Sequence, residues 1–345
     1  MTSSAWIALD VGGANIKAAH SWGQARTLPF ELWKRPDELA QVLATLAATL
    51  PPADRVALTM TAELCDCYDT KAQGVNAVLD AVQQAFPELP IQVWGIDERF
   101  HSVREARAHP ELAAAANWLA LASLAARLVP EGPGLLIDVG STTTDLIPLR
   151  DGRALARGRT DTQRLQTGEL VYAGVRRTPI CALATELPLR GVMTGLSAEL
   201  FASTLDIYLV LGAIDPEPDD HSTADGRSAT VEAARDRLAR MVGADRDGFS
   251  PEDARSFAQA ADAALMGRLA TAAQRACAVV SWRPRSAVVA GSGEFLARRL
   301  AQRLVEPGGT ILSLTEAWGP VTSGTGCAHA LVVLACEREP SVAEV

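Results

Sequence analysis

The sequence predicts a two-lobed α/β protein, and three observations carry that expectation. An apolar strand running into Asp-Val-Gly occurs twice, in "IALDVGGANIKAA" at residues 7–19 and in "IDVGSTTTDLIPL" at residues 137–149. The best linker in the sequence, "PEGPG" at residues 130–134, separates them. Around both, short apolar runs alternate with runs of helical periodicity, the pattern of sheets covered by helices. With 345 residues, 48% hydrophobic and 21% charged, the chain can bury a large core divided between two lobes.

Taken in order, "AWIALD", "NIKAAHSW" and "ARTLPFELW" read as three strands around Gly turns. "PDELAQVLATLAATL" is a helix with Pro36 near its start, "RVALTM" a buried strand, "GVNAVLDAVQQAF" a helix and "IQVWGI" a strand. "HPELAAAANWLALASLAARLV", residues 109–129, reads as one long Ala-rich helix that closes the first lobe, residues 1–130. The second lobe, residues 131–321, opens with "GLLIDVG", "STTTDLIPLR" and a third strand at "GRALARG". A mostly helical insertion follows over about residues 160–285, with helices at "SAELFASTLDIYLVLG", "TVEAARDRLARMVG" and "PEDARSFAQAADAALMGRLATAAQRACAVV". The segment between the first two, "AIDPEPDDHSTADGRSA", is a loop long enough to suspect function. "SAVVAGSGEFLARRLAQRL" is strand, Gly loop and helix, and "GTILSLT" a strand; residues 322–345 form a C-terminal helical segment expected to pack back on the first lobe.

The net charge of -9 argues against a nucleic-acid partner, whose backbone must be neutralised by clustered Lys and Arg. No apolar run approaches the roughly 20 residues that span a bilayer, and "MTSSAWIALD" lacks the regions of a signal peptide. These features predict a cytoplasmic protein acting on small molecules, as a monomer or homodimer. The six cysteines contain no CxxC pair and read as reduced, mostly buried thiols, with "CDC" at 65–67 the one close pair.

The Asp-Gly turns carry the chemistry. A strand ending in Asp-x-Gly presents backbone N–H groups in a concave array that suits phosphate oxygens. Gly12, Gly13 and Asn15 form the first such turn and Gly140, Ser141, Thr142 and Thr143 the second, where hydroxyls add donors without bulk. Gly291 and Gly293 in "VVAGSGEF" open a helix and add its N-terminal dipole. Asp10 and Asp138 would repel a bare phosphate, so their presence points to Mg²⁺ between carboxylate and phosphate. Lys17, seven residues after Asp10 on the returning strand, places a positive charge near the same anion.

This arrangement resembles the actin, sugar-kinase and Hsp70-type superfamily, which implies a two-lobed actin-like (ribonuclease H-like) ATPase fold closing on a phosphorylated ligand. "LDVGGANIK" is similar to its first phosphate motif, "IDVGSTTTD" to its second and "VVAGSGEF" to its adenosine-side motif. "GGAN" departs from the kinases, which commonly carry a hydroxyl residue there, and this puts ATP use in doubt. "DVGSTTTDL" is closest to the hydantoinase A and oxoprolinase group. "TMTAELCDCYDTKAQGV", "GIDERF", "AAANW", "TGELVYAGVRRTPICAL" and "HSTADGR" further resemble tetrahydromethanopterin-linked one-carbon transfer proteins, which are related to a methanofuran-biosynthesis enzyme.

That resemblance implies displacement of diphosphate from a furanylmethyl carbon by a phenol oxygen, giving an aryl ether, and on that reading ATP is not expected. The site must then neutralise the departing diphosphate and supply a phenolate from a group whose pKa is about 10. Lys17, Asp145 and Asp161 are the expected catalytic residues, with Asp10 and Asp138 as metal ligands. Glu63, Asp66, Lys71, Arg177, His221 and Asp225 are candidates for substrate contact or for the base. Two other classes remain open on the residues alone: an ATP-dependent small-molecule kinase or oxoprolinase-like amide hydrolase, and a nucleotide-gated binding protein without turnover.

Overall fold

The structure, a computed structural model, describes residues 4–278 and 283–338. The first sheet contains β1 (Trp6–Val11), β2 (Asn15–His20), β3 (Ala25–Pro29), β4 (Arg55–Met60), β5 (Ile91–Trp94) and β6 (Phe100–Ser102), in the order β3-β2-β1-β4-β5-β6. β1 is antiparallel to β2 and parallel to β4, and β4 is parallel to β5. The carboxyl ends of β1, β4 and β5 therefore share one edge, the place where open α/β sheets bind ligands. Helices α1 (Leu39–Ala47), α2 (Lys71–Ala85), α3 (Val103–Ala108), α4 (Pro110–Ala113) and α5 (Asn117–Ala125) are interleaved with these strands.

The second sheet is built from β7 (Pro133–Val139), β8 (Thr144–Arg150), the short β9 (Arg153–Ala154), β10 (Leu170–Val171), β13 (Ser286–Ala290) and β14 (Thr310–Ser313). Its order is β10-β8-β7-β13-β14, with β9 paired on β8. Place by place this repeats the third-second-first-fourth-fifth order of the first sheet. Between its strands lie α6 (Asp161–Thr167), the hairpin β11 (Glu186–Leu189) and β12 (Val192–Gly195), α7 (Thr204–Val210), α8 (Val231–Arg240), α9 (Pro251–Cys277) and α10 (Glu294–Leu304). The chain ends in α11 (Leu314–Trp318), α12 (Pro320–Gly324) and α13 (Gly326–Glu337).

Two compact units result. One comprises residues up to 136, 147–164 and from 312 on; the other comprises 137–146 and 165–311, and the division passes through β7, β8 and β14. In the first unit, strand alternation sorts two cores. Ile7, Leu9 and Val11 pack with Leu39 and Leu43 of α1 and Val75 and Val78 of α2. Trp6 and Ala8 face the other way, against Ala116, Ala120 and residues Ala328 and Leu331 of α13. Asp10 follows by alternation on this second face. Trp6, Trp94 and Trp118 are core residues, as their apolar settings predict.

Several local readings are corrected. The Ala-rich run 109–129 is not one helix: α4 stops at Ala113, Ala114 is extended, Ala115 takes φ +49° and α5 starts at Asn117. Nothing in Ala helix propensity interrupts such a run, so the break is imposed from outside it. The strand expected at "GRALARG" is only β9, and β10 holds the third place in the sheet. Helix α7 begins seven residues later than its apolar pattern suggests because a Ser203–Asp206 capping box fixes its start. The β11–β12 hairpin was not anticipated. Only Cys277 and Cys327 are buried; Cys65, Cys67 and Cys181 are half-buried and Cys336 is exposed. The last two residues of the helix expected over 251–280, and the end of the segment 322–345, lie outside the described residues.

The helical part of the second unit is fastened by a buried ion pair. Arg237 Nε donates to Asp206 Oδ1 at 2.8 Å, and both side chains are essentially inaccessible. Burial pushes the Asp206 carboxyl up and the guanidinium opposes it. Removing one partner strands the other charge, so Arg237→Ala is expected to cost about 3–5 kcal/mol, measured as a lower urea midpoint.

Candidate functional site

In the first unit the site starts from a strand register. Asp10, the penultimate residue of β1, lies opposite Lys17 on β2 and beside Thr59 on β4. In-register residues share a face, so these three side chains sit together at the carboxyl edge of the sheet. The intervening turn is closed by the Gly12 N–H donating to the Asn15 carbonyl at 3.0 Å, with Leu32 N–H on the Gly13 carbonyl at 2.9 Å. Asp10 is buried and accepts from Asn117 Nδ2 at 3.3 Å, at the first residue of α5. Burial pushes its carboxyl up, against the Lys17 charge and the Asn117 hydrogen bond. The Thr59 hydroxyl is buried with no hydrogen-bond partner among the described residues.

A second carboxyl lies just beyond β4. Glu63, in the helical turn Ala62–Leu64, is 1% exposed, and its Oε2 has no hydrogen-bond partner among the described residues. Its backbone rests directly on α2, where a Cβ at Gly74 would overlap the Glu63 carbonyl oxygen. Burial raises the Glu63 carboxyl to about 7, its own backbone amide and Lys71 oppose the rise, Asp161 adds to it, and the Ala115 amide opposes it. Asp161 in turn accepts from Arg164 Nη1 at 3.4 Å, and that buried guanidinium stacks 4.2 Å from the Trp118 ring centroid. Residues 115–118 thus touch every part of the cluster: Ala115 acts on Glu63, Asn117 on Asp10, and Trp118 on the Arg164 that holds Asp161.

In the second unit three segments meet on the turn after β7. The Gly140 N–H donates to the Thr143 carbonyl at 2.8 Å, closing the turn. Its carbonyl side is fully engaged: Gly293 N–H on Val139 at 2.8 Å, Val175 N–H on Gly140 at 3.0 Å, and Arg176 and Arg177 N–H on Ser141 at 3.0 and 2.9 Å. Gly291, at φ +90°, lies so close that a Cβ would overlap the Val139 carbonyl oxygen and Asp138 Oδ1. The Ser141 and Thr142 hydroxyls are 3.4 Å apart and half-buried, as are Asp138 and Thr143. Thr144 turns inward, its hydroxyl donating to the Ala173 carbonyl at 2.7 Å.

The expected residues therefore divide. Asp10, Gly12, Gly13, Asn15 and Lys17 form the first turn, and Glu63, Lys71 and Asp161 form the cluster beyond β4. Asp138, Gly140, Ser141, Thr142, Thr143, Gly291 and Gly293 form the second turn. Asp66 is exposed, and Asp145 is half-buried on β8 opposite Leu170. Arg177 reaches the turn through its N–H while its side chain is exposed. In the acidic loop, His221 pairs with the Gly226 carbonyl at 3.1 Å. Asp225 is held by Arg227, Arg237 and Arg240 at 2.7, 3.0 and 3.1 Å. Burial alone would raise Asp225, but Arg227 and Arg237 outweigh it and hold the carboxyl far below its usual range. Sequence reasoning missed Asn117, Arg164, Thr59 and Ala115. The one available signal was a lone Asn-Trp inside an Ala run.

Two expectations follow. Gly291→Ala requires a disfavoured φ and displaces the turn, so it should destabilise the protein by more than about 1 kcal/mol, read by thermal melting. Glu63 holds its proton more tightly in the native state, near 7, than in the unfolded chain, near 4.5. Stability therefore falls as pH rises through that window, and Glu63→Gln should flatten the fall when denaturant midpoints are compared across it.

Comparisons with known proteins agree with this architecture. The hydantoinase/oxoprolinase family model matches residues 54–335. A Methanocaldococcus jannaschii synthase of a furan-2-ylmethanamine bearing a 4-(2-(γ-L-glutamylamino)ethyl)phenoxymethyl group is 38% identical over 255 residues, covering 73% of this chain and 76% of that protein. A Methanococcus vannielii synthase of the same product is 37% identical over 124 residues, 36% of this chain and 55% of that protein. Among solved structures, nucleotide-free acetone carboxylase superposes with a TM-score of 0.53 at 9% identity, over 96% of this chain and 70% of that one, a likeness of fold alone. The fold is of the actin-like ATPase type, and the chain belongs to the hydantoinase/oxoprolinase family.

Proposed function

We propose that this protein is a cytoplasmic transferase of methanofuran-type one-carbon cofactor biosynthesis, joining a furanylmethyl diphosphate to a phenolic acceptor with release of diphosphate. The observation that carries this reading is the 38% identity to the M. jannaschii synthase over about three-quarters of both chains. The product in that synthase's name contains a phenoxymethyl ether between a furan and a glutamylated aminoethyl phenol. Such an ether forms when a phenol oxygen displaces a leaving group from the furanylmethyl carbon.

The residues suit that chemistry. The furan stabilises positive charge on the adjacent carbon, so the protein must chiefly stabilise charge appearing on the leaving diphosphate. With the Gly140 N–H and the Val139, Gly140 and Ser141 carbonyls already engaged, the N–H groups of residues 141–143 and the hydroxyls beside them are the donors proposed to meet an anion. Lys17 supplies positive charge at the head of the first turn. No γ-phosphoryl transfer is needed.

Mg²⁺ fits the donor set. Among the described residues no group of three or more His, Cys, Asp or Glu side chains could hold a metal unaided. Mg²⁺ instead takes one or two carboxylates and completes its shell with water and substrate phosphates. Asp10 in the first unit and Asp138 in the second, each at the head of its own turn, are each proposed as a carboxylate for such an ion, and an ion held by Asp138 would neutralise charge on a diphosphate at that turn.

The test is incubation with Mg²⁺, the aminomethylfuranylmethyl diphosphate and glutamyl-tyramine. The expected outcome is acceptor-dependent release of diphosphate with formation of the ether. Acceptor-dependent ATP hydrolysis without diphosphate release from the donor would contradict it. Asp138→Asn should lower turnover at least 100-fold while the protein stays folded, and near-normal turnover would remove Asp138 from the site.

A further inference from the structure

We propose that Glu63 is the base that takes the phenolic proton, an assignment that rests on the transferase reading above. Among the carboxylates near the chemistry-bearing segments, the others are committed elsewhere or open to water. Asp225 is enclosed by three guanidiniums, Asp161 accepts from Arg164, Asp10 accepts from Asn117, Asp138 and Asp145 are only half-buried, and Asp66 is exposed. Glu63 differs from all of these: it is 1% exposed, and one carboxyl oxygen has no donor among the described residues. Leaving a buried acceptor unsatisfied costs about 1–3 kcal/mol, more if it is charged. Folded proteins rarely tolerate that without a function for the group. The acceptor hydroxyl is the missing donor.

The surroundings fix this oxygen and tune it. The backbone of Glu63 cannot retreat, because α2 touches it at Gly74 without an intervening side chain. Ala115 holds a left-handed conformation at φ +49°, strain that marks a position determined by its surroundings. Two charged side chains act on the group: Lys71 from α2, and Asp161 from α6, which is itself paired with Arg164. Lys71 favours the carboxylate and Asp161 opposes it, and burial sets the balance near 7. A base with this balance is ionised in a useful fraction at neutral pH yet basic enough to receive a proton.

In the step itself the phenol O–H bond breaks as its proton passes to Glu63 Oε2. The phenol oxygen forms the new bond to the furanylmethyl carbon, and the bond from that carbon to diphosphate breaks with its electron pair leaving on diphosphate. Glu63 then returns the proton to solvent.

The test compares Glu63→Gln with the unaltered protein using two acceptors, the ordinary phenol and one carrying a nitro group beside the hydroxyl, which is largely ionised at assay pH. With the ordinary phenol, Glu63→Gln should lower kcat on the order of 100-fold or more, with KM for donor and acceptor within about threefold, and should lose the acid limb of the kcat–pH profile. With the nitrophenol, the variant should recover to within about tenfold of the unaltered protein, a rescue that also shows it is folded. Equal loss with both acceptors would overturn the assignment and make Glu63 structural, and so would normal turnover with the ordinary phenol. Glu63→Asp keeps a carboxylate and should retain the acid limb; its absence would count against the assignment. If the unaltered protein forms no ether with either acceptor, the transferase reading falls and the base assignment falls with it.

Discussion

Four backbone N–H groups holding three consecutive carbonyls at Val139, Gly140 and Ser141 are the constraint on which the second unit depends. Each such bond contributes only about 1 kcal/mol net, yet together they orient the turn. They dictate what the neighbouring segments can be. The loop at 174–177 and the loop at 291–293 must approach the turn through main chain, so both carry glycine where a side chain would collide. The hydroxyl run of 141–144 then divides by direction, with Thr144 tied inward to Ala173 and Ser141 and Thr142 left on the turn itself.

The first unit solves a different problem, which is how to keep carboxyl groups at the end of a fully buried strand. β1 is inaccessible along its whole length, and Asp10 inherits that burial. A buried carboxylate needs donors or opposite charge; Lys17 across the register and Asn117 from α5 supply them. The interruption of the Ala-rich run between α4 and α5 makes the second contact available. A continuous helix would carry Ala115 and Asn117 on a helical spiral and remove the extended Ala114 and left-handed Ala115 that redirect the chain. Residues 115–118 also reach Glu63 and, through Trp118 and Arg164, Asp161, so one local break organises three carboxylates.

Much of this was legible in sequence because it is local. Strand-turn-strand patterns at both Asp-Gly motifs follow from alternation and glycine, and the opposition of Asp10 and Lys17 follows from a tight turn between paired strands. What could not be read is imposed by partners distant in sequence. Ala114 to Ala116 leave helix only because the residues beyond β4 and the end of β1 claim the segment. β10 is two residues long and takes its place through pairing with β8, a contact that propensity does not encode. Arg164 looks like a solvated residue on a short polar helix, yet it is buried on Trp118. The acidic loop shows the converse: its length suggested function and His221 and Asp225 were candidates for substrate contact or for the base, but Arg176 pairs with Glu217 and Asp220 while three other arginines enclose Asp225.

The turn after β7 is the proposed site of the diphosphate. Calorimetric titration of the protein with inorganic diphosphate, with and without Mg²⁺, tests it without any organic substrate. Saturable one-to-one binding that requires Mg²⁺, with ADP failing to compete, is the expected result. Absence of diphosphate binding in the presence of Mg²⁺, with saturable binding of ATP or ADP instead, would contradict it.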